Sequence, residues 1–467
     1  MQTDIGYKLK YSNIYFFILI LRVRTLFMNQ SKLLYWSVTV ALAGFLFGFD
    51  TVVISGADQA LQDLWGSSPL FHGLVVMSSA LWGTVIGALF GGIPTDKFGR
   101  KKTLIVIGVL YVTSALGSAL VSDPYLFAFF RFIGGLGVGA STIAAPAYVT
   151  EIAPAEKRGR LVAMYQFNIV FGILMAYLSN FIISNMDLGE QTWRWMLGIE
   201  VIPAVIYTLM VFGVPMSPRW LAMKGRLQEA EAVLKKINPD ADVKSLLETN
   251  LEEGHKHESM WLKKYRYPVI LAFLIAFFNQ MSGINAFLYY APRIFEIAGL
   301  EQSAAMLSSV GIGVVNLLFT FIGLSLIDKF GRRQLMYICS FGYIISLSLV
   351  SLAFFMGWKG MAVPVFFFLF IAAHAIGQGT VIWVFISEIF PSHLRAQGQS
   401  LGSSTHWLLA AAIPAAIPFL FSSIGAAWVF VCFTLMMVLQ LLFVMFMMPE
   451  TKGVPLEELS KSLIKED

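Results

Sequence analysis

Charge is what this chain has least of. Of its 467 residues only 13% are Asp, Glu, Lys or Arg, roughly half the share of about 25% that a soluble domain carries. There is too little charge to clothe a water-facing surface. Cysteine is nearly absent: Cys339 and Cys432 both sit inside apolar runs, which excludes a disulfide framework and reads as two core packing residues. No metal-ligand cluster, nucleophile constellation or phosphate-binding loop occurs, so the chain is not expected to be an enzyme and implies no metal or cofactor. Strand-like alternation is missing as well. What remains is apolar: 57% hydrophobic and 14% aromatic, with 40 Phe and 11 Trp. A soluble enzyme, a disordered chain and a fibrous repeat are excluded, and a polytopic membrane protein is left.

A helix needs about 20 apolar residues to cross a bilayer, and with no water to satisfy the backbone, helices are the natural choice. Twelve such runs fall near 34–55, 71–94, 102–121, 125–148, 161–184 and 194–214, then 267–291, 304–327, 334–356, 362–388, 398–421 and 425–448. The expected fold is therefore all-α, with twelve spans in two sets of six. Residues 1–33 form an N-terminal extension, in which the apolar stretch Tyr11–Leu21 is too short to span and lacks a clear cleavage site; Met28 is the working start. Residues 215–266 are a hydrophilic linker whose Leu227, Ala230, Val233, Leu234 and Ile237 mark short amphipathic helices on the membrane surface, and 449–467 are a tail. Lys and Arg gather in the connections after even spans and are nearly absent after odd ones. That places the even connections and both termini in the cytoplasm, and accounts for the net charge of +5 without invoking nucleic acid.

The two sets of spans repeat each other. Asp96-Lys-Phe-Gly-Arg100 after span 2 returns as Asp328-Lys-Phe-Gly-Arg332 after span 8. Glu151-x-x-Pro154-x-x-x-Arg158 after span 4 returns as Glu388-x-x-Pro391-x-x-x-Arg395 after span 10, and Pro215 matches Pro449. Three matches in order mark parallel copies of a six-span unit, as in two-bundle transporters. The paired acids and bases at these ends are expected to latch the halves together on the inner side in one state and to part in another; alternatively the arginines only anchor helix ends at the head groups.

Gly91…Asp96-Lys-Phe-Gly-Arg100-Lys-Lys, Pro-Met-Ser-Pro218-Arg219-Trp220-Leu, Gln280-Met-Ser-Gly283-Ile-Asn285 and Pro449-Glu-Thr-Lys-Gly453 together resemble the sugar porters of the major facilitator superfamily, over about residues 34–453. The resemblance implies two six-helix bundles, a central sugar site between them and rocker-type alternating access.

Two charges fall inside spans: Asp50 in span 1 and Arg131 in span 4, ahead of Gly134-Gly-Leu-Gly-Val-Gly139. An ionised group at mid-membrane costs about 2.5–3.5 kcal/mol, so such residues need partners. They form either a static salt bridge or a switchable pair: a carboxylate beside Arg stays ionised, and apart from it burial favours the protonated form. Proton-coupled members of the family, such as its bacterial xylose–proton symporters, have Asp and Arg at these positions, whereas the animal glucose facilitators have Asn for the Asp. Glu200 in span 6 also matches an acidic residue of the symporters. The resemblance therefore implies proton symport through Asp50, Arg131 and Glu200. No strand precedes the glycine run, so Gly135-x-x-x-Gly139 is close helix packing and not a nucleotide fingerprint.

A sugar needs groups that both donate and accept hydrogen bonds, and aromatic platforms. The half-membrane polar residues Gln166, Asn279, Gln280, Asn285 and Asn316, with Trp383, His406 and Trp407, fit that need. By resemblance Gln166, Gln280, Asn285, Asn316, Trp383 and Trp407 hold matching sugar-binding positions, and Phe47 and Tyr289 match aromatic wall or gate positions. Any single amide could instead be an interhelical hydrogen bond. The family's Gln-Gln is Asn279-Gln280 here, a second Gln of the xylose symporters is Ile173, the Gly-Pro before Trp383 is Gly379-Thr380, and His406 stands where relatives have Gln or Asn. The linker motif also departs from its pattern, at Met216. The sugar is thus left open, and His406 is either pH-sensitive or a neutral hydrogen-bonding residue.

The expected function is proton-coupled monosaccharide symport; an uncoupled facilitator and a non-transporting sugar sensor are the alternatives. The partners are a sugar, a proton and the bilayer, with no nucleic acid, and the chain is expected to act as a monomer. No Asn-x-Ser/Thr site falls in an outer loop, which favours a bacterial inner membrane.

Overall fold

A computed structural model describes residues 32–186, 188–237, 258–391 and 393–464; the proposed extension up to residue 31 lies outside them. Among the described residues, eleven helices are long and apolar enough to span, and a twelfth is a bent pair, Pro69–Met77 and Ser79–Phe90, meeting at 41°. The first half uses Lys32–Gly56, that bent pair, Arg100–Leu120, Pro124–Ile152, Ala163–Ser184 and Gly189–Phe212. The second uses Lys263–Ile297, Gln302–Phe330, Arg332–Phe355, Ala362–Glu388, Arg395–Ser423 and Ala426–Phe446. These are spans 1 to 12, all within a few residues of the hydrophobic runs. In the linker, Leu227–Ile237 buries Ala230 and Val233 against Trp220 and Leu221.

Close packing inside the first half is built on small residues. A Cβ on Gly135 would stand 1.8 Å from the Ala80 carbonyl oxygen, and one on Gly139 would stand 2.3 Å from that of Thr84. Spans 2 and 4 therefore meet backbone to backbone, as the Gly135-x-x-x-Gly139 spacing predicts. Spans 1 and 5 do the same at Gly48 and Gly172. Cys432 departs from expectation. Cys339 is buried, but Cys432 is exposed on span 12. A lipid-facing surface is as apolar as a core, so composition alone does not separate the two.

The internal repeat is also conformational. Gly99 and Gly331 take φ of +91° and +89°, a region that favours glycine, and each turns the chain sharply into the next span. Arg100 then bonds Glu151 through Nε at 2.9 Å and meets Asp96 at 3.0 Å. Arg332 meets Glu388 at 2.7 Å and Asp328 at 3.2 Å. Ser217 donates to Glu151, and Thr451 donates to Glu388 at 2.6 Å, so the hydroxyls two residues beyond Pro215 and Pro449 belong to the repeat as well. Among the described residues these pairs close within each half and not between halves, which is one of the two arrangements the latch expectation allows. The reason is local, since each arginine sits at the start of its span, beside an acid from a neighbouring helix of its own bundle. Among the described residues, buried Arg395 Nε has no hydrogen-bond partner, and the Arg158 side chain lies outside them.

Candidate functional site

Three breaks in otherwise continuous spans position the central polar residues. Span 6 breaks where Pro203, lacking a backbone N–H, follows Glu200 at the start of the helix Val201–Phe212. Span 7 breaks at Gly283, whose φ of +84° no other residue adopts comfortably. Span 10 breaks at Gly377, ahead of the helix Gln378–Glu388 that carries Trp383.

In the first half, Arg131 Nη1 donates to Asp50 Oδ1 at 2.5 Å and Nη2 donates to the Asp50 carbonyl at 2.9 Å. Each side chain is 1% exposed. Gly134 lies one turn along from Arg131, where a Cβ would come 3.5 Å from Asp50 Oδ1. Buried Glu200 stands in electrostatic reach of both Asp50 and Arg131, and among the described residues its Oε1 has no hydrogen-bond partner. Buried Tyr289 of span 7 lies within electrostatic range of Arg131 and Asp50, so a residue of the other half borders the cluster. An acidic pair sharing one arginine can accept a proton without leaving that charge unpaired.

The second half gathers the amides and indoles. The break at Gly283 brings Asn285 Nδ2 to Gln280 Oε1 at 2.8 Å. Gln280 Nε2 donates to Asn279 Oδ1 at 2.9 Å and faces the His406 ring at 3.1 Å. The His406 ring lies 5.3 Å from that of Trp383 and 4.9 Å from that of Trp407, and Trp407 meets Phe47 of span 1 at 5.5 Å. Amides, rings and a wall residue from the opposite half thus share one locus, as a site for a polyhydroxyl ligand requires. Asn279 is buried behind Gln280, bonded on its far side to Gln378. Gln166 and Asn316 lie on spans 5 and 8, which pack together through Phe167 and Phe321, and neither is hydrogen-bonded to the cluster among the described residues.

Sequence reasoning missed a second charged cluster, at the face opposite the linker. Asp58, just past span 1, meets Arg293 of span 7 at 2.6 Å and His72 of span 2 at 2.7 Å. Arg293 also donates to Gln62 at 2.5 Å. Nearby, Tyr177 of span 5 donates to the Leu288 carbonyl of span 7 at 2.8 Å. The two halves are tied together on this face.

The chain matches the family described as sugar (and other) transporter over residues 36–463. It is 38% identical over 440 residues to the arabinose-proton symporter of Bacillus subtilis (strain 168), spanning 92% of this chain and 94% of that one. It is 33% identical over 472 residues to the D-xylose-proton symporter of Escherichia coli (strain K12), spanning 92% and 96%. Among solved structures, the inward-open conformation of the E. coli xylose transporter XylE superposes with a TM-score of 0.83 at 30% identity, covering 93% of this chain and all of that one.

Proposed function

The chain belongs to the sugar transporter family of the major facilitator superfamily, and from that premise we propose that it is a proton-coupled symporter of a monosaccharide, a hexose or a pentose, working by alternating access. It is a transporter and not an enzyme, a multi-pass integral protein of the bacterial inner membrane. The linker face is cytoplasmic, and the chain acts as a monomer in the bilayer. The printed names of its relatives, an arabinose-proton and a D-xylose-proton symporter, support this reading.

The observation that carries it is the buried Asp50–Arg131 pair, with Tyr289 of the other half in its electrostatic range. A proton added to Asp50 removes the charge that Arg131 pairs with. Arg131 also holds the Asp50 carbonyl, so its release frees span 1 as well as a side chain, and Glu200 stands ready as its alternative partner. Tyr289 rides on the same half-span as Asn285. Protonation on one side and sugar on the other therefore bias one helix, which is the reciprocal linkage that coupling needs. The halves are tied at Asp58–Arg293 on the face opposite the linker, whereas the linker-face pairs of Arg100 and Arg332 close within single halves. That pattern supports a cytoplasm-facing state.

The test uses proteoliposomes. Counterflow with a panel of D-xylose, L-arabinose and D-glucose identifies the sugar, and an imposed pH gradient then drives its uptake. Asp50→Asn is expected to abolish uphill accumulation while retaining exchange. Sugar entry without proton uptake in the unmodified protein overturns the coupling.

A further inference from the structure

Behind the sugar cluster, a single file of hydrogen bonds crosses the second half. Asn285 donates to Gln280, and Gln280 to Asn279, at 2.8 and 2.9 Å. Asn279 Nδ2 donates to Gln378 Oε1 of span 10 at 3.4 Å, the longest link. Gln378 Nε2 donates to Gln440 Oε1 of span 12 at 3.0 Å, and Gln440 Nε2 donates to Ser340 Oγ of span 9 at 2.9 Å. Ser340 finally donates to the Met336 carbonyl at 2.8 Å. Every donor points the same way. Gln378, Gln440 and Ser340 are fully buried, out of reach of bulk water.

The direction of the file is set at its far end. A backbone carbonyl only accepts, and a serine hydroxyl has one proton to give. With that proton on Met336, Ser340 must accept from Gln440, which forces Gln440 to accept from Gln378. The same requirement passes through Asn279 to Gln280, because a reversed amide in the chain would set two oxygens or two N–H groups face to face. Such a mismatch leaves buried polar groups unsatisfied and is strongly disfavoured. Gln280 is thereby held with Oε1 toward Asn285 and a second N–H toward His406. Asn285 in turn keeps Oδ1 as an acceptor, while both His406 ring nitrogens face Gln280 Nε2, at 3.1 and 3.3 Å.

We propose that Gln378, Gln440 and Ser340 are positioning residues for the sugar site, fixing which end of each site amide donates and which accepts. They would not touch sugar. They would decide which hydroxyl arrangement finds an acceptor at Asn285, and so bear on selectivity among monosaccharides. This rests on the reading of Gln280 and Asn285 as sugar-binding.

The experiment measures half-saturation and maximal rate of counterflow exchange for D-xylose, L-arabinose and D-glucose in Ser340→Ala, Ser340→Thr, Gln440→Met and Asn285→Ala. Ser340→Ala and Gln440→Met release the anchored end, and should raise half-saturation about 3- to 10-fold, the equivalent of one net hydrogen bond. The factors should differ among the three sugars, with maximal rate within about twofold. Ser340→Thr keeps the hydroxyl and should restore the unmodified values. A merely structural role would lower the maximal rate for all sugars alike and leave their ratios unchanged; that result overturns the proposal. If Asn285→Ala raises half-saturation while Ser340→Ala and Gln440→Met do not, the positioning role alone is overturned. If Asn285→Ala leaves it unmoved as well, the sugar-site reading has failed and the proposal falls with it.

Discussion

Arg293 of span 7 meets Asp58, just beyond span 1, at 2.6 Å between Nε and Oδ2, with the Asp58 side chain 2% exposed. It is a charge contact without aligned hydrogen-bond geometry, and it joins the two halves of the molecule on the face opposite the linker. Asp58 is held on its other oxygen by His72, and Arg293 on its other arm by Gln62. The pair is therefore part of a cross-braced closure.

Removing one partner of a buried pair leaves the other charge uncompensated, and opening this face is the way to rehydrate it. Arg293→Gln should consequently shift the population toward the state open on that face, by about tenfold if the bias is about 1.4 kcal/mol. Spin labels at Leu64 and Ile297, exposed positions of the two halves on this face, report the change by dipolar spectroscopy. A longer distance population is expected to grow in Arg293→Gln and in Asp58→Asn. An unchanged distribution in both would mean that the pair does not hold the face closed.

Gly135 and Gly137 lie two residues apart on span 4 and face different neighbours. A Cβ at Gly135 would stand 1.8 Å from the Ala80 carbonyl oxygen, which is backbone and cannot swing aside, whereas the nearest atom to a Cβ at Gly137 is 3.5 Å away. Gly135→Ala should therefore destabilise by about 1–3 kcal/mol, the range for overpacking, and Gly137→Ala should be nearly neutral. Thermal unfolding of the purified protein in detergent checks both. Equal midpoints for the two variants would refute close packing of spans 2 and 4.

Much of this was legible in the sequence, for reasons that also explain the gaps. Long apolar runs are obligatory in a bilayer, so the spans could be placed to within a few residues. The repeated loops were visible because both copies keep the same charges and the same glycine, at Gly99 and Gly331. Gln280, Asn285 and His406 stood out as polar residues in apolar runs. Asp58, His72 and Arg293 did not, because they lie at span ends, where charge is ordinary. Gln378 and Gln440 were invisible as a pair: they are 62 residues apart in sequence, and a single amide in a span reads as any interhelical bond. The direction of the ion pairs at Arg100 and Arg332 was equally hidden, since charge spacing says which groups can meet and not which bundle supplies the partner.

Glu258 fixes the end of the linker to the second half. It meets Lys264 at 2.5 Å, accepts from the Tyr265 hydroxyl at 2.5 Å, and faces His393 at 3.0 Å beyond span 10. The hydrogen bond from Lys264, with those from Tyr265 and His393, holds its carboxyl down at about 2. A depressed carboxylate contributes its stabilisation fully above the unfolded pKa, about 4.3, and loses it only as pH falls through the folded value. Between pH 5 and 8 the Glu258 carboxylate should accordingly stay ionised. In His393→Gln, which removes the imidazole from this contact, hydrogen exchange of the backbone from Glu258 to Tyr265, corrected for intrinsic rates, should give the same protection at pH 6 and pH 8. Glu258→Gln should lower that protection by a similar factor at both. Protection in His393→Gln that changes between those two values would show that the carboxylate titrates within the working range, contrary to its contacts.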